Sequence, residues 1–495
     1  MSRTIKAGYL AAAQGVGSCM AILVASVLSR QLDPADYATY RQTILSFRFL
    51  APLLLMGLPQ ASVYFLSREE GRVRGILIEI LTLLMLAGSL FFLFLIFGGS
   101  ELVAGWMNNP DLRETLIWFS PYALFILPVS ALNTALTACG RPQWAAIFSI
   151  LTQVLFGLLI ITLVQYSGNV LILIKGVVAH SLITCVLAFY LFYKISKNTS
   201  NEVSLSGVKE ILIYSIPLGI GGAVAYLNIN LDKVIVARFV NPSEYAIYIN
   251  GAFEVPLIGM LTGAASAIIL PDMIRSIKSG DRLEALGLWK RAAVKSAALL
   301  FPITAILWVM APEIMGLLFG DAYVSSADIF RVYILLVPIR IGFFGVIYQA
   351  CGKSGLLLRR SLLALTLNLI ATIPLTMMMG PIGAALSTIL VSWVIMVPYN
   401  AVETSRLIGV KTRELFEWKH LLGIAMSSLA LLFILIVAQY YLDKVLMCNL
   451  MCSITALSSL ALVGGVSLHI LFGVWSRVQV YGFVRNLFHK IYQFK

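Results

Sequence analysis

Arg48, Lys175, His180, Asn228, Asn230, Asp232, Lys233, Glu254, Arg331 and Arg340 all interrupt long apolar runs of this chain. Charge inside hydrocarbon is expensive, so such groups face a watery path or one another and are candidates for function. Five are cations and two are acids, an excess that suits an anionic ligand. Arginine fits such a ligand best, because its planar fork takes two oxygens of a phosphate or carboxylate at once. Arg340 lies about eleven residues into its apolar run, roughly 16 Å deep and out of easy reach of an interface. It is the leading candidate for an anion ligand, a fixed ion pair being the alternative. Arg331, nine residues earlier, faces the other side of an ideal helix unless Pro338 turns the segment. It either joins the site or pairs near a loop. Arg48 stands seven residues after Arg41 on one helix face and either lines the same path or pairs with an acid on a neighbouring helix.

Asn228 and Asp232 align at i, i+4 and Asn230 and Lys233 at i, i+3, so one helix is polar on adjoining faces. Such a helix at membrane depth should line water or protein. Asp232 and Glu254 are candidates for gating or ion coupling, with a fixed ion pair as the alternative for each. Lys175 either adds to the cationic path or snorkels to the surface. His180, near the middle of its run, could carry protons or be hydrogen-bonded packing. Glu79 is expected to snorkel inward. Cys448 and Cys452 share a helix face without a His or carboxylate beside them, so no metal site is expected. No cofactor motif is present, and the six cysteines imply no disulfide framework.

The elements that hold these residues are membrane helices. Apolar residues make up 60% and charged residues 12% of the chain, and the mean hydropathy is +0.91, outside the range of soluble domains. About fourteen runs approach the roughly 20 residues needed to span a bilayer: 8–29, 42–66, 75–98, 115–138, 143–166, 170–193, 211–237, 246–271, 292–311, 329–350, 360–379, 381–402, 420–441 and 449–472. Lys and Arg crowd alternate loops, as at Arg68, Arg72 and Arg74, at Lys194 and Lys197, and at Arg406, Lys411 and Arg413, while Glu101, Asp111, Glu313 and Asp321 mark the opposite side. The positive-inside rule places both termini in the cytoplasm. The net charge of +13 is thus a topology signal; it is spread over every inner loop and forms no patch for nucleic acid. Met1–Lys6 and the run after it are expected to be a first span rather than a signal peptide, because the run is too long for an h-region.

Arg30-Gln31-Leu32-Asp33-Pro34-Ala35-Asp36-Tyr37-Ala38-Thr39-Tyr40 reappears as Arg238-Phe239-Val240-Asn241-Pro242-Ser243-Glu244-Tyr245-Ala246-Ile247-Tyr248, an offset of 208 residues. Ala138-Cys139-Gly140-Arg141 answers Ala350-Cys351-Gly352-Lys353 at an offset of 212. A block of helices therefore occurs twice, the ground plan of many transporters. The expected domains are a six-helix bundle over 1–205, a second over 206–412, and an extra pair of spans with a basic amphipathic tail over 413–495. In that tail Val474, Val478, Tyr481, Val484, Phe488 and Ile491 fall at helical spacing opposite Arg477, Arg485 and Lys490, which reads as a helix lying on the inner leaflet.

Tyr214-Ser215-Ile216-Pro217-Leu218, followed by Asn230-Leu231-Asp232-Lys233-Val234-Ile235-Val236-Ala237-Arg238-Phe239 and Pro242-Ser243-Glu244-Tyr245, resembles the start of the second half of Wzx-type polysaccharide or O-antigen flippases. Gln349-Ala350-Cys351-Gly352-Lys353 is similar to the end of that family's tenth helix. These proteins belong to the MATE-like multidrug/oligosaccharidyl-lipid/polysaccharide exporter superfamily. The resemblance implies an all-α polytopic membrane protein, two six-helix bundles in a V with pseudo-two-fold symmetry, and an extra helix pair. It implies alternating access through a cationic central cavity in a bacterial inner membrane. The cargo would be an undecaprenyl-pyrophosphate-linked oligosaccharide, with a polysaccharide polymerase and a chain-length regulator as partners and H+ or Na+ as the coupling ion. Asp232 falls on the family's acidic position. Such a cargo needs a wet, polar path and cations for its pyrophosphate. Two other readings remain: a drug or cation antiporter of the same fold, which would want an acidic cavity, and a multi-spanning glycan-assembly enzyme, for which a surface acid, base or nucleophile is missing.

Overall fold

The computed structural model describes residues 3–68, 70–197 and 199–444, and among them every regular element is helical. The chain runs through α1 (Arg3–Gln31), α2 (Pro34–Leu55), α3 (Leu58–Arg68), α4 (Val73–Phe94), α5 (Ser100–Trp106), α6 (Leu112–Phe119) and α7 (Tyr122–Ser130). It continues with α8 (Leu132–Ala138), α9 (Pro142–Ser167), α10 (Val170–Ser196), α11 (Leu205–Phe239), α12 (Pro242–Gly251), α13 (Pro256–Lys278) and α14 (Arg282–Val309). The last third holds α15 (Ala311–Phe319), α16 (Ser326–Ile334), α17 (Phe344–Ala350), α18 (Ser354–Met379), α19 (Pro381–Leu390), α20 (Val397–Ile408) and α21 (Trp418–Lys444). Twelve stretches among the described residues are long and apolar enough to cross a membrane, and thirteen if α6 with α7–α8, bent by 54°, counts as one broken span. The fourteenth expected span at 449–472, the tail helix and Cys448 and Cys452 lie outside the described residues. The protein is a multi-pass membrane protein.

Packing groups the described residues into two compact units. This grouping follows contacts, whereas the expected bundle limits at 205 and 412 follow the repeat.

The first unit holds the chain up to Ile249 with Leu318–Gly320 and Ser361–Ala384. Here the sequence echo is also a structural one. Pro34 and Pro242 each open a helix, where a fixed φ and a missing N–H cost nothing. Tyr37 N donates to Asp33 O at 2.9 Å and Tyr245 N to Asn241 O at 3.0 Å, and both tyrosines are fully buried. α2 ends at Met56 and Gly57, both in the left-handed region at φ 46° and 71°. A Cβ on Gly57 would stand 2.4 Å from Ser215 O, and one on Gly219 would stand 2.4 Å from the Met56 carbonyl carbon. The α2–α3 joint and α11 therefore cross backbone to backbone, as small residues permit between membrane helices.

The segment joining the two repeats is pinned as well. Ser200 N donates to Gly71 O at 2.9 Å, Gly75 N to Ser200 O at 3.2 Å and Ser204 N to Glu79 Oε1 at 2.9 Å, and Arg72 pairs with Glu79. Glu79 thus does not snorkel inward as expected. It is 1% exposed and ties the start of α4 to the start of α11, because Arg72 and Ser204 N both hold its Oε1.

The second unit holds Asn250–Leu317, Asp321–Arg360 and the described residues from Ala385 onward. Its core gathers Trp289, Phe344, Tyr348 and Leu415. Leu431 and Leu435 of α21 bury against Val309 and Met310, so the span beyond the repeat is packed into this unit.

Candidate functional site

The proposed ligand-binding cation Arg340 sits at the joint of a broken span. Pro338 opens a tight turn over Pro338–Gly342, and Phe343, at φ 41°, stops it before α17. The run 329–350 is consequently not the continuous helix that was expected. A second break faces this one. Pro256 opens α13, and a residue before proline is pushed out of the helical region; Val255 is extended at φ −71° and ψ 109°. The expected span 246–271 is therefore split into α12 and α13, and Glu254 lies in the non-helical joint rather than deep in a helix.

The two joints meet through their charged side chains. Arg340 Nη2 donates to Glu254 Oε1 at 3.2 Å, with side-chain exposures of 34% and 60%. Beside them a cavity of about 30 Å³ is lined by Phe253, Glu254, Ile258, Tyr333 and Arg340, room for a water or two. Both side chains are partly exposed, so an incoming anion can reach the arginine.

Arg331 is not part of this arrangement. Its Nε donates to Trp308 O at 3.2 Å, its Nη1 pairs with Asp328 at 3.2 Å, and its guanidinium lies 5.1 Å from the Trp308 ring centre. These contacts, within α16 and to α14, anchor α16 to α14.

In the first unit Arg48 on α2 is exposed and, among the described residues, makes no hydrogen bond or ion pair. Its charge acts on Tyr40, Tyr122, Tyr226 and Tyr245, so an unengaged guanidinium stands among tyrosines. One turn-pair earlier, Arg41 Nη1 donates to Tyr37 Oη at 2.9 Å, and its charge also reaches Tyr245. The seven-residue spacing placed Arg41 and Arg48 on one face in the sequence, but only Arg48 stood as a candidate, and the tyrosines beside them carry no sequence signal of a site.

The polar ladder of α11 is resolved residue by residue. Lys233 Nζ donates to Asn230 Oδ1 at 3.2 Å, the expected i, i+3 contact. Asn228 Oδ1 accepts from Asn368 Nδ2 on α18 at 3.1 Å, a partner no spacing rule announces. Asp232 is 5% exposed and accepts from Tyr248 Oη at 2.6 Å. The hydroxyl stabilises a carboxylate at membrane depth, and Tyr248 belongs to the repeated motif itself.

Lys175 and His180 on α10 are drawn elsewhere. Lys175 Nζ rests 4.0 Å from the Trp118 ring centre, a cation–π contact. His180 Nε2 lies 2.9 Å from Thr152 O, with its ring edge against Phe156 at 5.2 Å, the packing alternative. Among the described residues no cluster of His, Cys, Asp and Glu could hold a metal ion.

A family model described as polysaccharide biosynthesis protein matches residues 4–273. The chain is 22% identical over 292 residues, 55% of its own length and 53% of the relative's, to the probable lipid II flippase MurJ of Rhizobium meliloti. It is 24% identical over 272 residues, 53% and 56% of the two lengths, to the probable low-salt glycan biosynthesis flippase Agl15 of Haloferax volcanii. The chain thus spans about half the length of these curated relatives. A solved structure of the lipid II flippase MurJ in an inward closed conformation superposes with a TM-score of 0.76 at 16% identity, covering 95% of this chain and 98% of that one. That likeness shares the fold.

Proposed function

We propose that this chain, which belongs to the polysaccharide biosynthesis protein family, is a flippase that moves an undecaprenyl-pyrophosphate-linked oligosaccharide across the bilayer. The direction is from the cytoplasmic to the outer leaflet of a bacterial inner membrane, with both termini cytoplasmic and transport by alternating access. It is a transporter and not an enzyme. One observation supports this reading: Arg340, inside an apolar run, stands at a helix joint and is paired with the partly exposed carboxylate of Glu254. Arg340 takes the pyrophosphate oxygens bidentately, Arg48 with its tyrosines offers a second cation, and Lys233 with Asn228 and Asn230 supplies polar groups to the path. Asp232 is assigned the coupling of H+ or Na+. A polysaccharide polymerase and a chain-length regulator are the partners this role would require.

An antiporter of cationic drugs is the second reading, favoured by the buried carboxylate of Asp232. The experiment that separates them is export of glycan in a strain lacking the chromosomal copy. Arg340→Ala should abolish export at normal protein level, and Arg340→Lys should keep part of it because the charge remains while the fork is lost. Full complementation by the Ala variant would remove Arg340 from the mechanism, and drug resistance conferred by the wild type without glycan export would establish the antiporter.

A further inference from the structure

A cavity of about 210 Å³ opens in the second unit against the Pro338–Gly342 turn; Arg340 itself is not in its lining, and every residue around it is apolar or aromatic, among them Phe301, Phe344, Trp393, Phe416, Trp418 and Leu422. A cavity without polar lining holds no ordered water and suits a hydrocarbon chain. The walls are fixed. Trp393 Nε1 donates to Leu335 O at 2.9 Å and Trp418 Nε1 to Arg413 O at 2.8 Å; both indole donors are used, and the rings stand as rigid plates.

The position of the cavity identifies the source of that hydrocarbon. Trp418 is the first residue of α21, and Ala425, on the same wall, is seven residues further along. The cavity therefore runs about 10 Å inward from the end of a membrane span. Tryptophan at such an end marks the level of lipid headgroups. Trp418 and Leu422 are 50% and 60% exposed, so the mouth can be entered sideways. In the segment around Trp418, Lys411, Arg413 and Lys419 are exposed, and Arg413 O is the acceptor of the Trp418 indole; of the two acids in the same segment, Glu414 is exposed and Glu417 is engaged by His420 at 3.1 Å. The mouth is thus cationic on balance.

We propose that this cavity binds one acyl chain of an anionic membrane phospholipid, whose headgroup sits on Lys411, Arg413 and Lys419. The site shares the Pro338–Gly342 turn with Arg340, but lipid binding there is read without any assumption about the cargo.

The test uses the full chain in bilayer nanodiscs with a phosphatidylglycerol carrying a diazirine in its acyl chain. After irradiation, labelled peptides should concentrate on Trp418–Ala425 and on the Pro338–Phe344 segment. Ala425→Trp, which fills the cavity, should remove that labelling, and Leu422→Trp at the mouth serves as a second variant should the first fail to fold. Each of Lys411→Gln, Arg413→Gln and Lys419→Gln should weaken competition by unlabelled phosphatidylglycerol about fivefold while phosphatidylcholine competes as before. Even labelling of all lipid-facing helices, or labelling unchanged in both Trp variants, overturns the proposal. Stronger competition by undecaprenyl phosphate than by phosphatidylglycerol would give the site to the carrier lipid. A photocrosslinker at Leu422 that joins to residues 445–495 would show that the chain covers the cavity itself, which also overturns it.

Discussion

At the scale of single residues, the described structure sorts the intramembrane charges by how firmly each is held. Arg331, Lys175 and His180 are tied to Trp308, Trp118 and Thr152, whereas Arg340 has one weak partner and Arg48 stands free of hydrogen bonds. A ligand-binding cation must be releasable, so the last two are the better candidates. Asp232 is different again: it is buried and accepts from Tyr248 Oη at 2.6 Å, a contact that the proposed coupling role requires to open. Asp232→Asn keeps the shape and an acceptor oxygen but removes the charge. In proteoliposomes it should bind inorganic pyrophosphate as the wild type does and no longer respond to an imposed pH or Na+ gradient. If it remains gradient-driven, Asp232 is not the coupling group; if it only shifts cysteine accessibility between the two sides, the residue is a latch.

At the scale of elements, prolines and glycines decide where helices stop and how closely they meet. Pro256 and Pro338 break two spans and thereby place Glu254 and Arg340 on joints that can change angle with little loss of helical hydrogen bonding. The crossing of the α2–α3 joint with α11 is the opposite case, a contact with no slack. Gly219→Ala puts a Cβ against backbone and should lower the melting temperature in detergent. Gly57→Ala should lower it further, since it adds a left-handed alanine costing about 1–2 kcal/mol. Unchanged melting in both would mean that α11 is free to separate from the joint.

At the scale of the whole molecule, the repeat sets orientation. Six spans per half return the chain to its starting side, so Asp33 and Asn241, which precede Tyr37 and Tyr245, should lie on the same face of the membrane. Cysteines at these two positions should react with a membrane-impermeant maleimide from one side only, and from the same side. Labelling from opposite sides would end the two-repeat reading and, with it, alternating access by halves.

The sequence alone determined the class of the molecule, because composition and run length leave a chain of this kind no solvent but a bilayer, and an internal repeat cannot be hidden by divergence at two separate motifs. It also singled out Arg48, Asp232, Lys233 and Arg340 within apolar runs and the Asn230–Lys233 contact, since i, i+3 geometry is local. What it did not determine were the partners that come from distant elements: Asn368 for Asn228, Tyr248 for Asp232, Ser204 for Glu79, and Glu254 for Arg340. Prolines 256 and 338 were visible as residues, yet whether a proline merely kinks a span or opens it into a joint depends on what satisfies the freed backbone. That is settled by neighbouring helices, and so only by the tertiary structure.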